Sequence, residues 1–392
     1  MATHSCSWPV DRTDPQAVGL CPERLGRIGR LVSRYVDDGT VAGVVTLVAR
    51  RGRIAHLECF GRMDVEQNVP MRDDAIFRIY SMTKPVTTVA VLMLLEEGRF
   101  LLKEPVSRYL PEFKELRVRV PGADGKDELV RPRREMTLHD LLTHLGGLSY
   151  DCIHECRDAG RSLQDFIVEI SRRPLVSHPG ERWHYSASND VLCRVVEVVA
   201  GCPFDEFLQD RIFEPLGMTD TAFWVPPQAA DRLAWIYTAG DDGRAVPCED
   251  RATSPYLRRP SLPSGGGGLV STTSDYLRFA LMLLGGGALG SVRLLGRKTV
   301  ELMTDDHLPA GHPPLDVNDR GYGLGVSVVR RVGETRQLCS VGEFGWGGAA
   351  ATQAWIDPAE DMVSMIMMQY RPKEKFALLD EFKQTAYQAI VD

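Results

Sequence analysis

Residues 84–97, ending in VTTVAVLMLLEE, are apolar at almost every position and close on Gly98. The pattern predicts a helix. A helix that is apolar on all sides has no face to offer water, so other elements must bury it. A chain built around such a helix needs layers on more than one side of it, and 392 residues is length enough to supply them.

Flanking segments read as partners for that helix. Residues 22–38 place Leu25, Ile28, Leu31, Val32 and Tyr35 at helical spacing, with Pro22 in the first turn and Gly39 at the end. AGVVTLVARRG and RIAHLECFG then read as two strands of a hairpin turning at Arg51-Gly52. From about 100 to 260 short helical patterns alternate with loops rich in Pro, Gly, Arg and Asp. Thr137 is a good cap for a short helix, and 161–172, 188–200 and 203–213 read as helices. Strands return after 264. GGGGLVST leads into the helix TSDYLRFALMLL, with Thr273 or Ser274 expected as its cap. Four strand-like runs follow (GLGVSVVRR, RQLCSVG, AAATQAWID and MVSMIMMQY), then a closing helix over roughly 374–390. The expected fold is α+β: an antiparallel β-sheet flanked by helices, built from residues 1–100 and 261–392. A mainly helical domain, 101–260, is inserted, with the active site between the two.

Charge and cysteine usage exclude several functions. The net charge is −7 with both signs well mixed, and no Lys/Arg-rich stripe marks a nucleic-acid partner. Arg131, Arg133 and Arg134 form the densest basic stretch, and a solvated loop explains them. No run approaches the ~18–20 apolar residues of a membrane span. The first residues, MATHSCSWPVDRTDPQAVG, lack a basic and then apolar leader, so a cytoplasmic location is expected. Nine cysteines at irregular spacing (6, 21, 59, 152, 156, 193, 202, 248 and 339) fit reduced thiols better than a disulfide framework. Cys152-Ile-His-Glu-Cys156 has no second Cys/His group at zinc-finger spacing, so no metal and no cofactor is expected. His139 and His144, five apart, are expected to be structural.

Three segments can carry chemistry. The first is Ser81-Met82-Thr83-Lys84, at the start of the buried helix. A serine hydroxyl needs a base before it attacks, and an amine one turn away can serve if its surroundings lower its proton affinity. The helix N-terminus adds N–H groups suited to an oxyanion. With 20 Ser and 8 Lys in the chain, roughly 0.4 such pairs arise by chance, so a capping Ser beside an unrelated Lys would leave the same letters. Yet a charged Lys at the foot of a buried helix is costly without partners or a task. The second segment is Trp183-His184-Tyr185-Ser186-Ala187-Ser188-Asn189-Asp190, whose Tyr185 can shuttle a proton if an ammonium is near, or simply pack by its ring. The third is Gly342-Glu343-Phe344-Gly345-Trp346-Gly347-Gly348-Ala349. Its glycines allow close backbone approach to a ligand and its Trp can floor a pocket; a Gly-rich hairpin turn is the plainer reading. G-x-S-x-G, G-x-x-x-x-G-K-[ST] and H-E-x-x-H are all absent.

In that order, S-x-x-K, a loop Tyr about a hundred residues on and a Gly-rich strand near the C-terminus resemble the serine β-lactamases of class C and the penicillin-binding proteins. The resemblance is closest to the family VIII carboxylesterases and covers roughly 20–385. Leu141-Leu142-Thr143-His144 with Gly146-Gly147-Leu148, and Gly265–Ser271 followed by Thr-Ser-Asp, support it. It implies Ser81 as acylated nucleophile, Lys84 and Tyr185 as the base system, and the backbone N–H groups of Ser81 and Ala349 as oxyanion hole. Trp346, with Gly347 and Gly348, would bind substrate.

Two departures bear on substrate. Where the lactamases read Y-x-N this chain has Ala187, and where they read K-T-G it has Trp346-Gly347-Gly348. The lost amide and the lost cation weaken the case for β-lactams and peptides. The expectation is hydrolysis of small, neutral, short-acyl esters, as a small-molecule partner. Acyl transfer from the same acyl-enzyme and weak β-lactamase-like amide hydrolysis are the alternatives; a non-catalytic scaffold is a third. Oligomeric state is left open.

Overall fold

The computed structural model describes residues 8–122, 125–249, 253–313, 315 and 320–392. Its centre is one antiparallel sheet of eight strands: β1 (Gly43–Arg50), β2 (Arg53–Asp64), β3 (Val69–Pro70), β4 (Gly321–Tyr322), β5 (Ser327–Val328), β6 (Phe344–Gly347), β7 (Gln353–Asp357) and β8 (Met362–Met368). Their spatial order is β4-β5-β6-β7-β8-β1-β2-β3. β1 pairs along its length with β8, from Val44 opposite Met368 to Arg50 opposite Met362, so the sheet is sewn from early and late sequence. The expected hairpin at Arg51-Gly52 joins β1 to β2.

Alternation along the strands builds two cores. Val44 and Val48 of β1 and Ile366 and Met368 of β8 join one apolar cluster; Val45 and Leu47, with Val363, Met365 and Met367, join the other. Successive side chains point to opposite faces, so strands apolar at nearly every position must be covered on both. Helix α1 (Arg27–Asp37) covers the first face through Ile28 and Val32. Helix α2 (Thr83–Glu96), buried from Thr83 to Leu94, lies in the second cluster. It is joined there by α3 (Ser188–Ala200) and α4 (Thr273–Leu284), while α5 (Leu378–Tyr387) returns to the first face. The α+β class and the all-round burial of the apolar helix are as expected from sequence.

Several local expectations change. Residues 22–38 form two helices, Pro22–Leu25 and Arg27–Asp37, meeting at Gly26. The cap of α4 is Thr272, whose side chain accepts the Asp275 N–H, rather than Thr273 or Ser274. RQLCSVG is not a strand: Arg336 is left-handed at φ 54°, and Leu338 and Val341 are exposed, so no buried face rewards pairing. The strand begins at Phe344 instead, and the Gly-rich segment read as a possible hairpin turn is the interior strand β6. Thr137 caps its helix as expected, in a reciprocal pair with Asp140. The middle of the chain holds two small hairpins, Val118–Pro121 with Asp127–Val130 and Tyr237–Ala239 with Ala245–Pro247.

A buried polar knot fixes β6 against α5. Glu343 accepts from Arg320 and from Lys383, whose Nζ is at 2.8 Å, and the Tyr387 hydroxyl lies between Glu343 and Asp357, 2.9 Å from Asp357 Oδ2. A buried carboxylate is tolerable only when so partnered. The knot anchors the strand that carries Trp346.

Candidate active site

The short strand Phe77–Arg78 pairs with Val270–Ser271 and delivers the chain to a tight turn, Tyr80–Met82. Tyr80, immediately before Ser81, has φ 42°. A non-glycine residue there costs of order 1–3 kcal/mol and persists only where its surroundings enforce it. Helix α2 starts at Thr83, so Ser81 and Lys84 flank the junction of turn and helix, and their side chains meet: Lys84 Nζ donates to Ser81 Oγ at 3.1 Å. Lys84 is fully buried and also donates to the Gly266 carbonyl at 2.6 Å. Its ammonium lies 4.5 Å from the centre of the Tyr185 ring.

Tyr185 arrives on the loop before α3. Trp346 Nε1, from β6, donates to its hydroxyl oxygen at 3.0 Å. Burial pushes this phenol up, but the Lys84 charge and polar contacts from Lys84, Ser81 and Trp346 outweigh it and hold Tyr185 below the ordinary tyrosine value. Two neighbouring tyrosines provide a contrast. Tyr150 and Tyr322 are both pushed well above the ordinary value, by burial first and by Tyr185 second. Of these three tyrosines, Tyr185 alone is disposed to hold a negative charge.

The sequence-selected groups thus converge from three distant segments: Ser81 with Lys84, Tyr185, and Trp346. They open onto a cleft of about 1130 Å³ whose lining includes Ser81, Trp183, Tyr185, Trp346, Gly347 and Ala349. Its walls also carry Trp355, Phe376, Arg371, Lys373 and Lys375. Ala349 is exposed on the turn joining β6 to β7, where Gly348 N–H bonds Thr352 O at 2.7 Å. Gly348 itself does not line the cleft. It packs against the chain just before Tyr80, where a Cβ would lie 2.5 Å from Ile79 O.

His144 was expected to be structural; its packing on Tyr185, and the roles of Asp190 and Gly266, were not read from the sequence. His144 is fully buried with φ 55°, packs at 4.9 Å between ring centres on Tyr185, and bonds Ser186 Oγ at 3.2 Å. Burial, then Lys84 and His184, push its imidazole well down, so it stays neutral behind the tyrosine. His139 instead pairs with His307 at 3.0 Å. Asp190, on the first turn of α3, accepts from Ser264 Oγ at 2.5 Å and Gly266 N–H at 3.1 Å. The glycine run explains itself here: a Cβ at Gly265 would sit 2.0 Å from Cys193 Sγ, and one at Gly266 2.5 Å from Asp190 Oδ2. Cys152 and Cys156 lie in the main core, and no group of three potential metal ligands occurs among the described residues. No helix among them is long and apolar enough to cross a membrane.

Comparison with known proteins gives the family. The family profile described as Beta-lactamase matches residues 28–388. The chain belongs to the β-lactamase family. It is a serine hydrolase of that family, and its fold is that of solved penicillin-binding proteins. Esterase EstB of Burkholderia gladioli is 34% identical over 293 residues, covering 68% of this chain and 71% of EstB. Monacolin J acid methylbutanoyltransferase of Aspergillus terreus is 29% identical over 376 residues, covering 86% and 89%. Among solved structures, EstCE1, a hydrolase with promiscuous acyltransferase activity, superposes with a TM-score of 0.78 at 26% identity, covering 94% of this chain and 99% of EstCE1.

Proposed function

We propose that this family member is a carboxylesterase that cleaves neutral esters of short acyl groups through an acyl-enzyme on Ser81. The observation that carries the reading is the convergence of Lys84 on Ser81 Oγ with a tyrosine, Tyr185, whose hydroxyl is held below its ordinary value. Tyr185, as phenolate beside the Lys84 ammonium, takes the serine proton as Oγ attacks the ester carbonyl. The tetrahedral oxyanion forms against the backbone N–H groups of Ser81 and Ala349, two residues that line the cleft. Tyr185 then passes the proton to the departing alkoxide, and in the second half-reaction draws one from the attacking water. Trp346 supports esters over carboxylate-bearing lactams. It puts an indole where the lactamases carry a lysine, and its N–H is engaged by Tyr185. The cleft exceeds the room a short acyl group needs, so the surplus serves the alcohol half.

Ser81→Ala should abolish turnover of p-nitrophenyl acetate; retained turnover would overturn the reading. Acyl transfer is the second reading, favoured by the roomy cleft and by the transferase among the relatives. Partitioning of the acyl group between water and an added alcohol separates the two. Nitrocefin hydrolysis tests residual lactamase activity.

A further inference from the structure

Among the described residues Lys84 makes no hydrogen bond to a carboxylate. Its buried ammonium is held by Ser81 Oγ and by one backbone carbonyl, that of Gly266, at 2.6 Å. What fixes that carbonyl is Asp190. Gly266 N–H donates to Asp190 Oδ1 at 3.1 Å, and Ser264 Oγ, two residues earlier, donates to the same oxygen at 2.5 Å. The glycine is therefore pinned from both sides, by the carboxylate on its N–H and by the ammonium on its carbonyl. It has no side chain because a Cβ would strike Asp190 Oδ2 at 2.5 Å. An aspartate in the first turn of a helix ordinarily faces water and complements the helix dipole. Asp190 is 1% exposed, and its Oδ2 has no hydrogen-bond partner among the described residues. Desolvating a carboxylate is a poor way to stabilise a helix end, and its cost here falls at the site where the lysine must be aimed.

We propose that Asp190 is a positioning residue for the acylation step, aiming Lys84 at Ser81 by fixing the backbone of Gly266. It touches neither substrate nor reacting atoms. This rests on the reading of Ser81 and Lys84 given above. Ser264 shares the task by donating to the same carboxylate oxygen as the Gly266 N–H.

The test compares Asp190→Ala, Asp190→Asn and Ser264→Ala in the full chain. Two rates are measured per active site, which fluorophosphonate labelling of Ser81 counts: kcat and KM for p-nitrophenyl acetate, and the rate constant of labelling itself. Misdirecting a catalytic group by about 1 Å costs about 100-fold, so kcat and the labelling rate of Asp190→Ala should fall by about that factor with KM little changed. Asn retains an oxygen that can take the Gly266 N–H, and should recover most of the loss. Ser264→Ala should give a smaller loss of the same kind, and it serves if Asp190→Ala does not fold. A purely structural aspartate would lower the number of active sites and leave each site's rate unchanged. That result, or an Asn variant as slow as the Ala variant, overturns the proposal. Absence of labelling in the wild-type protein would instead sink the acyl-enzyme reading on which it rests.

Discussion

Trp346→Phe isolates one hydrogen bond. The substitution keeps an aromatic ring on β6 and removes the Nε1–H that donates to Tyr185 at 3.0 Å. A hydrogen bond to a charged group contributes about 1.5–3 kcal/mol and one to a neutral group about 0.5–1.5. The indole therefore favours the phenolate over the phenol by about 1 kcal/mol or a little more, close to one pH unit. The sign follows from Tyr185 being held below its ordinary value. The donor lowers it, so losing the donor raises it, and the basic form becomes available only at higher pH. In pH profiles of kcat/KM for p-nitrophenyl acetate, the acidic limb of Trp346→Phe should move up by about one unit. Well below that limb the variant should be about tenfold slower; above it the two enzymes should converge. An unmoved limb would refute the assignment of Tyr185 as base or of Trp346 as its donor.

Other outcomes follow from the same geometry. Lys84→Met should lower kcat for p-nitrophenyl acetate by about 10²–10⁴, and Lys84→Arg should not restore it, because a planar guanidinium cannot reproduce the contacts of Nζ to Ser81 Oγ and Gly266 O. Leu47→Ala, at a fully buried site in the larger core, should cost about 2–5 kcal/mol in urea unfolding, with activity per folded molecule retained. Thr272→Ala removes the cap of α4 and should cost about 0.5–2 kcal/mol, read as a lower Tm.

What could be read from the letters, and what could not, divides by the range of the interaction. The helix at 83–96 announced itself because its burial leaves nearly every position apolar, and the β1–β2 hairpin because its turn is a local Arg-Gly signal. Ser81 and Lys84 are three residues apart and needed only a turn of helix to meet. RQLCSVG misled because its alternation lacks a partner face, which only the tertiary structure can grant or deny. Residues 22–38 read as one helix because the apolar stripe continues across Gly26, the residue that separates Pro22–Leu25 from Arg27–Asp37. The roles of Asp190 and Gly266 were hidden for a related reason. Asp190 and Ser264 lie 74 residues apart, and the chemistry of their contact leaves no spacing to find. Trp346 was visible as a pocket residue, but its hydrogen bond to Tyr185 spans 161 residues and belongs to the fold.

The most direct test of the account is where the acyl group goes. The protein is mixed with p-nitrophenyl acetate, quenched in acid within the first turnovers, digested and analysed by mass spectrometry. One acetyl group on the peptide carrying Ser81, absent from the Ser81→Ala variant, is the predicted result. An acetyl group on another residue, or the same adduct formed by Ser81→Ala, would contradict it.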